Sequence, residues 1–163
     1  MELSMLEKLI LYFVVKTKGF ISKTQLVKFL YLADLYSVKW TEKQLTDLDW
    51  RYYQFGPWHE KIEQVLKNFY QTNVLQESCE NQTNLIKLSS KIELENFKFS
   101  KGLELMLNNI HREWAGSQKL DSLLNYVYQT VPMIDAQKYH QPEEKAILNL
   151  QLERQKLVEE LGV

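Results

Sequence analysis

The apolar residues of this chain recur mostly at intervals of three and four rather than two, the spacing of helices rather than strands. From Ser4 to Thr17, Leu6, Leu9, Ile10, Phe13 and Val14 share one side, and Met5, Leu11, Tyr12 and Val15 make the other side apolar too. A helix of that kind is expected to be buried on more than one face, and Lys18-Gly19 ends it, since glycine tolerates the left-handed C-terminal cap. Ser22 then reads as the N-cap of a second helix, with Gln25 at the capping-box position and Ile21 placed to staple onto Leu26. Leu26, Phe29, Leu30 and Ala33 give that helix its core face, while Lys23, Lys28 and Asp34 are expected to project elsewhere.

Further on the period changes. Leu48, Trp50 and Tyr52 alternate with Asp49, Arg51 and Tyr53, which predicts a short strand from Asp49 to Phe55, terminated by Gly56-Pro57. Pro57 fits the first turn of a helix running from about Trp58 to Thr72, with Ile62, Val65, Leu66 and Phe69 inward. Val74–Glu77 and Asn84–Leu88 read as two strands around a turn in CENQT, and the segment 89–99 is the candidate hinge. A helix after Ser100 turns Leu103, Met106, Leu107, Ile110 and Trp114 inward as far as Gly116; the next, from Ser117, carries Leu120, Leu123, Leu124, Val127 and Tyr128 and ends at Pro132. Pro142 opens a last, thinly apolar helix to about Leu161. The expected fold is mostly α with a small β-hairpin, in a single compact helical domain over residues 1–140, followed by an amphipathic helix in 141–163 packed on the domain or on a partner. Helix, helix, extended segment, helix and hairpin in the N-terminal half is the element order of a winged helix.

Composition narrows the chemistry. With 163 residues and a formal net charge of −1, one domain with a proper core is expected, without the basic excess usual in proteins that grip nucleic acid. Six lysines between Lys16 and Lys43 face only Asp34 and Glu42, and read most simply as a solvated face. In the Trp58–Thr72 helix, Lys61 and Lys67 are balanced by Glu60 and Glu63, and no arginine is present to read base edges. Cys79 stands alone, so no intrachain disulfide is possible. Glu2 and Glu7 occupy what would be the basic region of a signal peptide, no apolar run is long enough to span a bilayer, and a cytoplasmic protein without membrane contact is expected. His59, His111 and His140 are not at ligand spacing, and no nucleotide-binding or hydrolase motif occurs, so neither metal, cofactor nor catalytic residue is expected. An enzyme would require a constellation such as Asp34, His59 and Arg51 to converge in three dimensions. The aromatic cluster Trp40, Trp50, Tyr52, Tyr53, Phe55 and Trp58 serves either as a core corner or as a contact surface. On the second reading the partner-binding set is Asp34, Trp40, Arg51, Tyr53 and Trp58, an arginine beside aromatic rings being the make-up of an interface hot spot.

Lys28-Phe29-Leu30-Tyr31-Leu32-Ala33-Asp34, followed later by Tyr53-Gln54-Phe55-Gly56-Pro57, resembles the recurrent features of the Panacea (SocA-like) antitoxin domain. Tyr128, Pro132 and Ala136 add a second, weaker match. The resemblance implies a prophage-associated antitoxin of a toxin–antitoxin system, without catalysis of its own. Its partner would be a protein toxin encoded nearby, bound directly or delivered to an ATP-dependent protease. Leu30, Tyr31, Ala33, Gly56 and Pro57 would be structural members of the motif. Two features depart from the family pattern: Trp58 follows Gly-Pro where a small or aliphatic residue is common, and the C-terminal helix lies outside the shared motif. A winged-helix DNA-binding regulator and an uncharacterised enzyme are the alternative readings.

Overall fold

In a computed structural model, which describes residues 2–89 and 99–162, the two N-terminal helices form, the second with its expected N-cap. α1 (Met5–Lys16) and α2 (Lys23–Thr41) each begin in a capping box, Ser4 with Glu7 and Ser22 with Gln25. In each, the serine oxygen accepts a free helix-start N–H while the partner side chain reaches back to the cap N–H. α1 buries Leu6 and Leu9 through Val14, on several faces as its pattern predicts. In α2 every residue from Gln25 to Leu35 is buried. A helix buried all round needs neighbours on all sides, and α1, α4 (Lys101–Trp114), α5 (Leu120–Tyr128) and α7 (Gln151–Leu161) supply them.

The chain between α2 and the next helix departs from its sequence reading. β1 (Arg51–Tyr53) and β2 (Gly56–Trp58) pair antiparallel, Tyr53 opposite Gly56 and Arg51 opposite Trp58, so Gln54 and Phe55 form the turn. The Gly-Pro pair therefore neither ends a strand nor opens a helix; it makes the return strand of a hairpin. Proline is tolerated there because β2 is an edge strand and needs no outward donor. α3 (Glu60–Gln71) starts instead at His59, whose ring nitrogen Nδ1 accepts the Lys61 N–H at 3.0 Å.

β3 (Leu75–Glu80) and β4 (Thr83–Leu88) form the second hairpin, with Asn81 and Gln82 both left-handed in its turn. A bridge between Ser22 and Leu85, with Ile86 N–H donating to the Ile21 carbonyl at 2.8 Å, adds a short third strand between α1 and α2. α1, this strand, α2, α3 and the β3–β4 wing follow the winged-helix order, with residues 42–59 set in between the second and third helices.

Two prolines are corrected in the C-terminal half. Pro132 does not end α5; it sits in the first turn of α6 (Val131–Tyr139), a helix that buries only Pro132, Met133 and Ala136 and whose apolar residues gave no periodic signal. Pro142 opens only a 3₁₀ turn, Pro142–Glu144, closed by a left-handed Lys145. The chain then runs extended along the free edge of β1, Tyr52 N–H donating to the Ala146 carbonyl and Leu148 N–H to that of Trp50, before α7 begins. α7 lies on α2 and α6, and its Glu153 carboxylate accepts the Val131 N–H at 3.0 Å. Nearly all of the candidate hinge at 89–99 lies outside the described residues.

Candidate functional site

The motif in α2 carries three polar side chains, Lys28, Tyr31 and Asp34, spaced three apart and so on one side of the helix. All three are buried, and each holds a different non-helical segment. Lys28 donates its Nζ to the carbonyl of Phe55 at 2.5 Å, in the turn of β1–β2, and burial pushes its ammonium down to about 8. Tyr31 donates to Thr130 Oγ1 at 2.8 Å, because that hydroxyl already gives its proton to the Val127 carbonyl. The contact pins the α5–α6 junction, and burial raises the Tyr31 phenol far above its ordinary value. Asp34 accepts from the N–H of Leu45 and of Thr46, both at 2.9 Å, from the Thr46 hydroxyl at 2.5 Å and from the Trp50 indole at 2.8 Å. Burial raises its carboxyl, and the four donors pull against that rise. Lys28 and Asp34 thus do not project away from the core, and Asp34 is absent from the surface where a contact role would need it. Their partners lie in the loop that leads into β1 and in the hairpin turn, where α2's own periodicity carries no information about them.

The register of β1–β2 turns Tyr52 and Pro57 inward and Arg51, Tyr53 and Trp58 outward, since successive side chains alternate faces. The Tyr53 and Trp58 rings lie 5.2 Å apart, and Lys145 Nζ stands 4.9 Å and 5.5 Å from their centroids, within cation–π range. Phe55 is 74% exposed at the hairpin tip. Its backbone is nevertheless held, the Phe55 carbonyl by Lys28 and the Gln54 carbonyl by the Tyr128 hydroxyl at 3.4 Å. Gly56 adopts a φ of 103°, which a side chain would reach only with strain. Between this hairpin and the start of α2 lies a groove of about 420 Å³, floored by Val27 and Lys28 and walled by Tyr53, Phe55 and Trp58.

Beside the rings, the Asp49 carboxylate accepts from Arg51 Nη2 and from His59 Nε2, each at 2.6 Å. The guanidinium and the imidazole hold the Asp49 carboxyl below its usual range. Because His59 Nδ1 accepts the Lys61 N–H, the ring proton sits on Nε2, facing Asp49. Both ring nitrogens are thus engaged, Nδ1 in capping α3 and Nε2 with the carboxylate of Asp49, just before β1. The constellation of Asp34, His59 and Arg51 does not form; Asp49 takes the place of Asp34, a pairing signalled only by the strand spacing of Asp49 and Arg51.

Of the five candidate contact residues, Arg51, Tyr53 and Trp58 come together. Trp40 is 63% exposed but lies about 18 Å along α2 from Lys28, beside α7, where Arg154 donates to the Lys39 carbonyl. Phe55 and Lys145 complete the hairpin surface and were not among the five. Phe55 becomes a tip residue only once the hairpin is known, and nothing local brings Lys145 to it.

The outward face of α3 is polar with little net charge, and lysines near it are engaged: Lys23 with Glu63 at 2.7 Å and Lys61 with Asp47 at 3.2 Å. Among the described residues no helix is long and apolar enough to cross a membrane, and no group of three or more His, Cys, Asp or Glu could hold a metal ion. No curated protein and no solved structure matches the chain. A family model described as antitoxin SocA-like, Panacea domain, matches residues 26–156, beginning in α2 and ending inside α7. The last helix, expected to stand apart from the shared motif, is therefore partly within it, as are the three polar anchors of α2 and the whole of the β1–β2 hairpin. By this match over most of its length, the chain belongs to the SocA-like antitoxin family built on the Panacea domain.

Proposed function

We propose that the chain neutralises a protein toxin by binding it directly, and that the contact surface is the outer face of β1–β2: Arg51, Tyr53, Phe55 and Trp58, with Lys145. The observation that carries this reading is an exposed Phe55 ring beside the half-buried, outward-facing rings of Tyr53 and Trp58, on a backbone fixed from the core and within the residues that the family model matches. Aromatic rings bring large contact area at small entropic cost, and preorganised backbone lowers the cost of association. The partner is a toxin encoded beside this chain, with delivery to an ATP-dependent protease as the route by which binding without direct inhibition would still neutralise. No catalytic step is assigned to the chain.

The winged-helix order of α1–α2–α3 and β3–β4 favours a second reading, DNA binding through α3. The charge on α3 speaks against it, with its Glu63 paired to Lys23 and its Lys61 engaged by Asp47.

The test is co-expression with the neighbouring toxin. Trp58→Ala and Phe55→Ala each abolish rescue of growth and lower binding of purified toxin, with melting temperatures within a few degrees of wild type. Rescue that survives both, but is lost in Lys156→Glu on the exposed face of α7, moves the contact to that helix.

A further inference from the structure

We propose that the groove between α2 and β1–β2 seats an acidic side chain, an aspartate or glutamate, from an exposed segment of the toxin, with an adjoining apolar side chain against Tyr53 and Trp58. This rests on the antitoxin reading for the identity of the partner and adds its chemistry.

Charge complementarity is the first argument. The groove is lined by Lys23, Lys28 and Lys145 and by one acid, Glu63. Lys23 already pairs with Glu63 at 2.7 Å, which leaves two cations, and among the described residues no carboxylate lies within 4.0 Å of either. The second argument is the state of Lys28. The residue is 2% exposed and its ammonium lines the groove, yet its only hydrogen bond among the described residues is to the Phe55 carbonyl, so donors remain without an anionic partner. Burial has lowered its proton affinity, and a carboxylate entering the groove would restore it. The third is the character of the walls. A phosphate site gathers backbone N–H groups or arginine forks; this groove has rings, a proline and point charges, and at about 420 Å³ it has room for a carboxylate with one apolar neighbour.

The test titrates the full chain, followed by NMR, with the acetylated and amidated tripeptide Leu-Glu-Phe and with its Leu-Gln-Phe counterpart. The glutamate peptide should produce saturable shifts at the Trp58 indole and Lys28, and the glutamine peptide should bind about tenfold more weakly. Inorganic phosphate should not displace the glutamate peptide, and Lys145→Glu, at an exposed position, should remove the preference without moving the melting temperature. Equal binding of the two peptides, absence of saturable shifts, displacement by phosphate, or a preference that survives Lys145→Glu would each overturn the proposal. Because the titration uses no toxin, it separates the two readings. A groove that selects glutamate in a chain that neutralises nothing overturns the antitoxin reading, while neutralisation that persists in a Lys145→Glu chain unable to bind the peptide overturns this one.

Discussion

The β3–β4 and β1–β2 hairpins both turn on two residues, but what holds them differs. β3–β4 has strands of six residues paired from Leu75 opposite Leu88 to Glu80 opposite Thr83, a buried base at Leu75 and Ile86, and a polar tip. It is held mostly by its own ladder, and tied to the domain where Ile86 N–H meets the Ile21 carbonyl. β1–β2 has strands of three residues, too short to persist as an isolated pair. Its support comes from outside: Asp34 fixes the approach, Lys28 and Tyr128 fix the turn, and residues 146–148 flank the edge of β1. The difference shows how a domain can display aromatic side chains without leaving them on a loose loop. The shorter hairpin is the better anchored, and its rings face outward from a backbone whose polar groups are fastened to the central helix.

The sharpest way to break this contrast is to remove the anchor that most groups share. Asp34→Ala leaves four donors without their acceptor in a buried setting, where each unsatisfied group costs about 1–3 kcal/mol. Urea unfolding should show a loss of roughly 3–5 kcal/mol, a large part of a small domain's total. Retention of wild-type stability would mean that the approach to β1 is held by its own packing.

Lys28→Met tests the turn anchor through pH. The ammonium titrates near 8 in the folded chain and at its ordinary 10.5 when unfolded. Between those values the unfolded chain carries a proton that the folded chain has released, so wild-type stability rises with pH across that window, by roughly 3 kcal/mol in total. Below it both forms are charged, and the burial cost is fully present. The stability difference between wild type and Lys28→Met should therefore shift in favour of wild type as pH rises from about 8 to 10.5, as read from urea midpoints. A flat difference would show that Lys28 is not desolvated.

The smallest effect belongs to the wing. Gln82 sits at φ 66° in the β3–β4 turn, a conformation that glycine reaches without strain. Gln82→Gly should raise stability by roughly 0.5 kcal/mol and leave neutralisation unchanged. A loss of neutralisation in this variant would place the function on the wing.

What could be read from the sequence follows the range of the interactions. The Ser22–Gln25 capping box, the two-sided burial of α1 and the β3–β4 hairpin are local patterns, and each was legible. The prolines were legible as helix or strand punctuation but not in sense: Pro57 lies within a hairpin, Pro132 starts a helix, and Pro142 starts a single turn. Lys28 and Asp34 were placed outside because a charged residue on a helix belongs in water unless something else satisfies it. What satisfies them is a carbonyl at Phe55 and donors at residues 45–50, which α2's own spacing cannot reveal. For the candidate site, the alternation of residues 48–53 correctly turned Arg51 and Tyr53 outward. It could not show that Trp40 lies on a different part of the surface, or that Lys145 crosses from the far end of the chain to stand over the rings.

That crossing has a consequence for timing. The Arg51 guanidinium donates to the Lys145 carbonyl, and Tyr52 N–H to that of Ala146, across a separation of 94 residues. At ribosomal speeds of about 5–20 residues per second, roughly 5 to 20 s pass between synthesis of the hairpin and arrival of the segment that completes its edge. During that interval the nascent chain holds Tyr53 and Trp58 without Lys145 above them, so the finished surface depends on residues 145–148 and is not a property of the hairpin alone.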